Sequence, residues 1–296
     1  MTRLFRTTTV ALLGLLPACT GSIGDKPPGD DESAPDAELD PGPMDLRRLT
    51  NAEVRNSVID VLGIEPEGLP DEIRADVSPT GFHNASGPQT INLAAAERYY
   101  AAAEQTAEAA LTEGTRLVAL AGCDVEVDGD PCLSSLAERL GRRLYRRPLA
   151  SEETAALVAL SGSDATPRDA AKTILISVLT SPHFLWKVEI GVPDESGYLT
   201  LTGLERASRL SFFLLSSGPD EELLSAAEAG TLDTTEGVAQ ETRRLLADPR
   251  AEATLRTFAR EWLTGDRLDD WTRSGTLFPE WDEALAVEMR TEVEDL

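Results

Sequence analysis

At 296 residues the chain is long enough for two ordinary domains, and 52 acidic against 27 basic side chains leave a formal charge of −25 at pH 7. A surface that negative repels phosphate backbones and anionic headgroups, which argues against nucleic acid as a partner. Aromatic residues make up only 5% of the chain, too few for a platform that stacks bases or sugars.

The first predicted element is an export leader over residues 1–18. Arg3 and Arg6 precede the apolar run Val10–Ala18, and Cys19 follows it. A positive start, a short apolar core and small residues before a cut site have this meaning. The run falls short of the roughly 20 residues that a permanent membrane-spanning helix requires. The stretch LPAC resembles the bacterial lipobox, which implies that the Cys19 thiol receives diacylglycerol after cleavage; a plain cleaved leader with a coincidental cysteine is the alternative. Thr20 rather than aspartate follows, so the usual inner-membrane retention signal is absent. The expected address is therefore the bacterial cell envelope, with the outer membrane favoured and the bilayer held through the lipid. Loss of Arg3 and Arg6 with the leader leaves 25 basic side chains and a charge of −27. Residues 19–45 are rich in Pro, Gly and acid and offer too little apolar surface to offset the entropy of ordering. They read as a disordered tether.

From Leu46 onward the pattern is helical, and the fold class is all-α. Thr50 and Glu53 form a capping box, Leu49 and Val54 a hydrophobic staple, and Gly63 stands at the left-handed stop after Val54, Val58, Val61 and Leu62. INLAAAERYYAAAEQTAEAALTEG is a long alanine-rich helix. Cys123 and Cys132 then enclose CDVEVDGDPC; with Cys19 acylated, they are left to bridge each other in an oxidising compartment. Zinc would need these cysteines together with His83 and His183, which lie at no standard spacing. Asp124, Glu126, Asp128 and Gly129 imitate the opening of an EF-hand loop, but Ser135 stands where that loop needs a bidentate Glu. A solvated acidic turn accounts for them better, and neither metal nor cofactor is expected. Leu133, Leu136, Leu140 and Leu144 make one stripe of the next helix, stopped by Pro148. Ser151 caps the segment EETAALVALSG, Thr166-Pro167 opens RDAAKTILISVLT, and Ser181-Pro182 opens HFLWKVEIG. YLTLT is the nearest thing to a strand. Thr202 and Glu205 repeat the capping box ahead of RASRLSFFLLSS. The final stretch, with Leu285, Met289 and Val293 on one face, reaches Leu296 with acidic residues at the helix's negative end. Two readings stand side by side: a shortened form of something longer, and a fraying last helix. The Gly/Pro punctuation divides the body into helical units at 46–114, 115–191 and 197–296.

The blocks RRLTNAEVRNSVIDVLGI, GFHNAS, LGRRLYRRPLASEE, ILISVLTSPHFLWKVEIG, LTGLERASRLSFFLLSSGPDEELLSAAEAGTL and RRLLADPRAEATLRTFAREWLTGDRL occur in this order. Together they resemble the planctomycete and myxobacterial cytochrome-associated proteins, which are built from serial domains of unknown function. The resemblance implies a further part with a Cys-x-x-Cys-His haem segment in longer relatives. No such segment occurs in this chain, and the resemblance carries no established activity.

Candidate chemistry is sparse. His83, in a Gly/Pro-flanked loop with Asn84 and Ser86, is a candidate general base with Asp76 as orienting partner, against a plain turn-pinning histidine. His183 beside aromatics reads as packing and capping. Arg142, Arg143, Arg146 and Arg147, with Arg139, could grip a carboxylated or sulfated polymer, or could close the helix end and pair with the acidic surface. Two functional readings follow: a lipid-anchored, non-catalytic scaffold or binding protein with an envelope partner, and an envelope enzyme or redox-associated subunit acting on exported polymers.

Overall fold

The computed structural model describes residues 45–67, 82, 84, 91–195, 197–263, 273, 274 and 276–294. Cys19, Asp76 and His83 lie outside the described residues. The fold is all-α, with only two short strand pairs among the described residues.

Strand β1 (Arg47–Arg48) leads into α1 (Asn51–Leu62). The Glu53 N–H donates to the Thr50 hydroxyl at 3.1 Å, and the Glu53 carboxylate accepts the Thr50 N–H at 2.9 Å. Both otherwise orphaned donors of the first turn are thereby satisfied. Gly63 closes α1 with φ 71°, a region that a side chain would strain. Helices α2 (Leu93–Glu113), α3 (Thr115–Ala121), α4 (Val125–Asp128) and α5 (Asp130–Leu144) follow. Then come α6 (Ser151–Ala159), α7 (Pro167–Leu179) and the single turn α8 (Pro182–Leu185). The centre of this half is α7, packed between α2 and α5. Its Ala171, Ile174, Leu175 and Val178 are fully buried, and alanines 103, 107 and 110 on α2 give it a low ridge to pack on. One continuous core runs from Leu49 to Leu185, across the boundary expected at Gly114.

Two local expectations need correction. The cap of α6 is Ala150, not Ser151: Glu153 reaches back to accept the Ala150 N–H at 2.9 Å, so the helix gains its reciprocal contact one residue earlier. The helix opened by Ser181-Pro182 ends at Leu185 instead of running through VEIG. Trp186–Lys187 leaves it as β2 and pairs antiparallel with β1, because the buried partner of Lys187 lies on α1. Within YLTLT, Leu199–Thr200 forms β4 against β3 (Val192–Pro193).

The remaining helices are α9 (Gly203–Leu215), α10 (Glu221–Glu228), α11 (Thr235–Leu246), α12 (Pro249–Trp262) and α13 (Glu283–Glu294). Helix α9 packs on α10, α11 and α12 around Ala207, Leu215, Leu223, Leu232 and Leu245. Phe212, on the same helix, belongs to the first core instead. Thus α9 is shared between the two cores. Gly237 is obligatory at the start of α11, since a Cβ there would fall 1.9 Å from the Thr231 carbonyl oxygen.

Candidate functional site

Helices α1, α9 and α12 line a cleft of about 1500 Å³. Its apolar lining follows from helical periodicity. Adjacent residues on a helix point about 100° apart, so Phe212 is 4% exposed in the core while its neighbour Phe213 is 76% exposed in the cleft. On α12, Ala251, Leu255, Phe258 and Trp262 recur at helical spacing as one apolar stripe, whose first three members line the cleft. Only Ala251 of that stripe is buried, while Leu255 is 65% exposed. Phe82 stacks on Phe258 with ring centroids 5.9 Å apart, and Phe258 stacks on Trp262 at the same distance. The chain thus carries an aromatic and aliphatic face that, despite the Phe82 stack, keeps Phe213, Leu255 and Phe258 exposed.

Charged pairs stand at both ends of the cleft. At one end, Lys187 Nζ donates to Glu53 Oε1 at 2.6 Å, with both side chains more than nine-tenths buried. The Lys187 ammonium also lies 4.8 Å from the centre of the Phe212 ring, and the Arg146 guanidinium faces the same ring at 5.6 Å. At the other end Asp60 pairs with Arg250 and accepts the Ser217 hydroxyl at 2.6 Å. Arg250 also clasps Asp248, whose carboxylate holds its guanidinium above the ordinary pKa. Along the rim Arg209 pairs with Glu189 and Arg206 with Asp233. Glu252 holds Arg256 one turn away at 3.0 Å. Glu53, Asp60 and Glu252 all face the cleft, and each is already committed to a cation.

The arginine block does not act as one grip. Arg142 reaches Glu221 and Glu228 on α10. Arg147 forms a two-pronged pair with Glu153 at 2.7 and 2.8 Å, which pulls the Glu153 carboxyl down to about 2. Arg146 turns inward with φ 62°, an uncommon conformation for a residue with a side chain. Its guanidinium donates to the carbonyls of Leu144, His183, Phe184 and Trp186 at 2.6–3.1 Å. Those of His183 and Phe184 are end carbonyls of the one-turn helix α8, which has no turn of its own to satisfy them. Burial pulls Arg146 down to about 10, so it stays charged at neutral pH. Arg143 makes none of these contacts and faces a separate small pocket.

Cys123 and Cys132 are joined as a disulfide. Asp128 lies within reach of both sulfurs, but a bridged pair offers no thiolate, so the group is no metal site. Asp124 caps α4, and Asp128 accepts the Asp124 N–H at 3.0 Å, which makes the acidic segment a self-bonded turn. The exposed His183 ring lies 5.3 Å from that of Tyr145, whose hydroxyl burial raises in pKa. Asn84, beside His83 in sequence, lines the cleft. Lys187 and the α12 stripe escaped the sequence reading. The stripe's spacing within PRAEATLRTFAREW was a legible sign of it; the Glu53–Lys187 pair, 134 residues apart, left none.

Three families match in series. Residues 47–112 match PSD3, a protein of unknown function (DUF1587); residues 132–189 match PSD5, of unknown function (DUF1595); residues 201–296 match PSD4, of unknown function (DUF1592). No curated protein and no solved structure matches the chain.

Proposed function

We propose, for a chain that carries in series three domains of the planctomycete cytochrome-associated families, that it is a lipid-anchored envelope protein that works by binding. Cys19 holds the acidic body to the bacterial envelope through residues 19–45, with the outer membrane as the favoured address. The cleft between α1, α9 and α12 receives the apolar face of a partner protein's helix.

The exposed Leu255 and Phe258 of α12, which line the cleft together with the exposed Phe213 of α9, carry this reading. At about 1500 Å³ the cleft exceeds the ~300–1000 Å³ of small-molecule sites and suits a helix laid into a groove. The commitment of Glu53, Asp60 and Glu252 to cations favours binding over acid–base catalysis. Phe213→Glu and Leu255→Glu place charge at exposed positions and are expected to leave the fold intact. Each should release a partner that otherwise copurifies after mild detergent extraction; unchanged retention in both variants contradicts the reading. Mass spectrometry of the mature N-terminal peptide tests the anchor, since an unmodified Cys19 thiol would remove it.

A further inference from the structure

Beyond the Asp60–Arg250 pair lies a second pocket, of about 300 Å³, independent of the cleft reading. Arg116 from α3, Arg143 from α5 and Arg250 from α12 converge on it, with Asp60 and Asp220 in the same wall. Both carboxylates are already engaged. Asp60 holds Arg250 and Ser217, and Asp220 takes a two-pronged pair from Arg244 at 2.7 and 3.0 Å and caps α10 through the Leu223 N–H. Arg143 has no such partner: among the described residues its guanidinium makes no ion pair or hydrogen bond, and its Nε is buried without an acceptor. Arg116 reaches only the Ile59 carbonyl, at 3.3 Å. Burial lowers the pKa of Arg143; Glu221, Asp220 and Asp60 oppose the shift from a distance, and the Arg116 guanidinium adds a smaller push downward. The carboxylates near Arg143 are thus spent on other donors, and among the described residues none reaches its guanidinium as an ion pair or hydrogen bond. A buried guanidinium Nε without an acceptor is costly, and an oxyanion held by the half-buried Arg143 and the exposed Arg116 would remove the cost.

We propose that this pocket binds a tetrahedral oxyanion group, a phosphate or a sulfate, held between Arg143 and Arg116 with Arg250 as the third cation. The guanidinium groups of Arg143 and Arg116, from two helices, with the charge of the already paired Arg250 beside them, match the several oxygens of such a group better than a single carboxylate. The volume leaves room for a small substituent on it.

The test is thermal unfolding of the mature chain in phosphate, sulfate or succinate, against chloride at matched ionic strength. Inorganic phosphate or sulfate is expected to raise Tm saturably, and succinate more weakly. Arg143→Gln should weaken the apparent affinity by about tenfold or more, the scale of one lost charge-assisted pair. Arg116→Gln should act in the same direction. Arg139→Gln, an exposed position on the same helix outside the pocket, should leave the response unchanged. In chloride alone Arg143→Gln should be at least as stable as the parent, because it removes a half-buried charge that no direct ion pair holds. The proposal fails if no anion gives a saturable shift, if Arg143→Gln responds like the parent, or if succinate matches phosphate. It also fails if Arg143→Gln is destabilised in chloride, since Arg143 would then be a structural arginine.

Discussion

Replacing Lys187 by Met should be among the most damaging single changes in the chain, although it swaps one long side chain for another of similar volume. In the parent, the ammonium and the Glu53 carboxylate are 2.6 Å apart, with side chains only 8% and 6% exposed. One Glu53 oxygen serves Lys187 and the other accepts the Thr50 N–H that starts α1. Removal of the cation leaves a buried carboxylate with half its partners, which typically costs ~3–5 kcal/mol. Loss of the Lys187–Phe212 contact at 4.8 Å belongs to the same change. Against a total stability of ~5–15 kcal/mol, that is a large share. Urea unfolding followed by far-UV circular dichroism reads it, with an unchanged m-value confirming that the compactness of the end states is preserved. Glu53→Gln in the Lys187→Met background should recover part of the loss, because the amide oxygen can still take the Thr50 N–H without a stranded charge. A single-variant loss below about 1 kcal/mol, or additivity in the double-mutant cycle, would refute the reasoning.

Other outcomes follow from the same geometry. The Cys123→Ser, Cys132→Ser double variant should lose about 2–3 kcal/mol in the chain-entropy picture, and reductant should destabilise the parent but not the variant. Arg146→Met should lose more than ~3 kcal/mol in urea unfolding, because four carbonyls, two in buried and two in part-buried hydrogen bonds, lose their donor at a site that also holds a left-handed backbone; Arg146→Lys should recover only part, as an ammonium has three donors and no planar fork. The folded Glu153 pKa of about 2 lies below its unfolded value, so its pair with Arg147 stabilises the fold above the ordinary carboxylate range and that contribution fades as pH falls toward about 2. Arg147→Gln should therefore flatten the stability–pH curve in that window, by less than ~1 kcal/mol because the pair is one-third exposed and screened by solvent.

What the chain made legible was local. Thr50-x-x-Glu53 and Thr202-x-x-Glu205 announce helix starts, and both boxes are present, because capping depends on residues three apart. Gly63 announces a stop for a similar reason. The cysteine pair was legible from counting. What escaped depends on distant partners: Trp186–Lys187 leaves helical geometry to pair with Arg47–Arg48, and no residue near Lys187 in sequence predicts a buried carboxylate on α1. The arginine block signalled something unusual in an acidic chain, but not how it divides. Sequence proximity placed Arg142, Arg143, Arg146 and Arg147 together, while helical rotation within α5 points Arg142 to α10 and Arg143 to a pocket, and beyond the helix the left-handed Arg146 enters the core and Arg147 reaches α6.

The binding account meets its most direct test in a photo-activated crosslinker placed at Leu255 in living cells, with the equally open Val127, remote in sequence on α4, as the comparison. One envelope protein captured from Leu255 and not from Val127, and lost when Phe213→Glu is added, is the predicted result. Equal capture from both positions, or from neither, would contradict it.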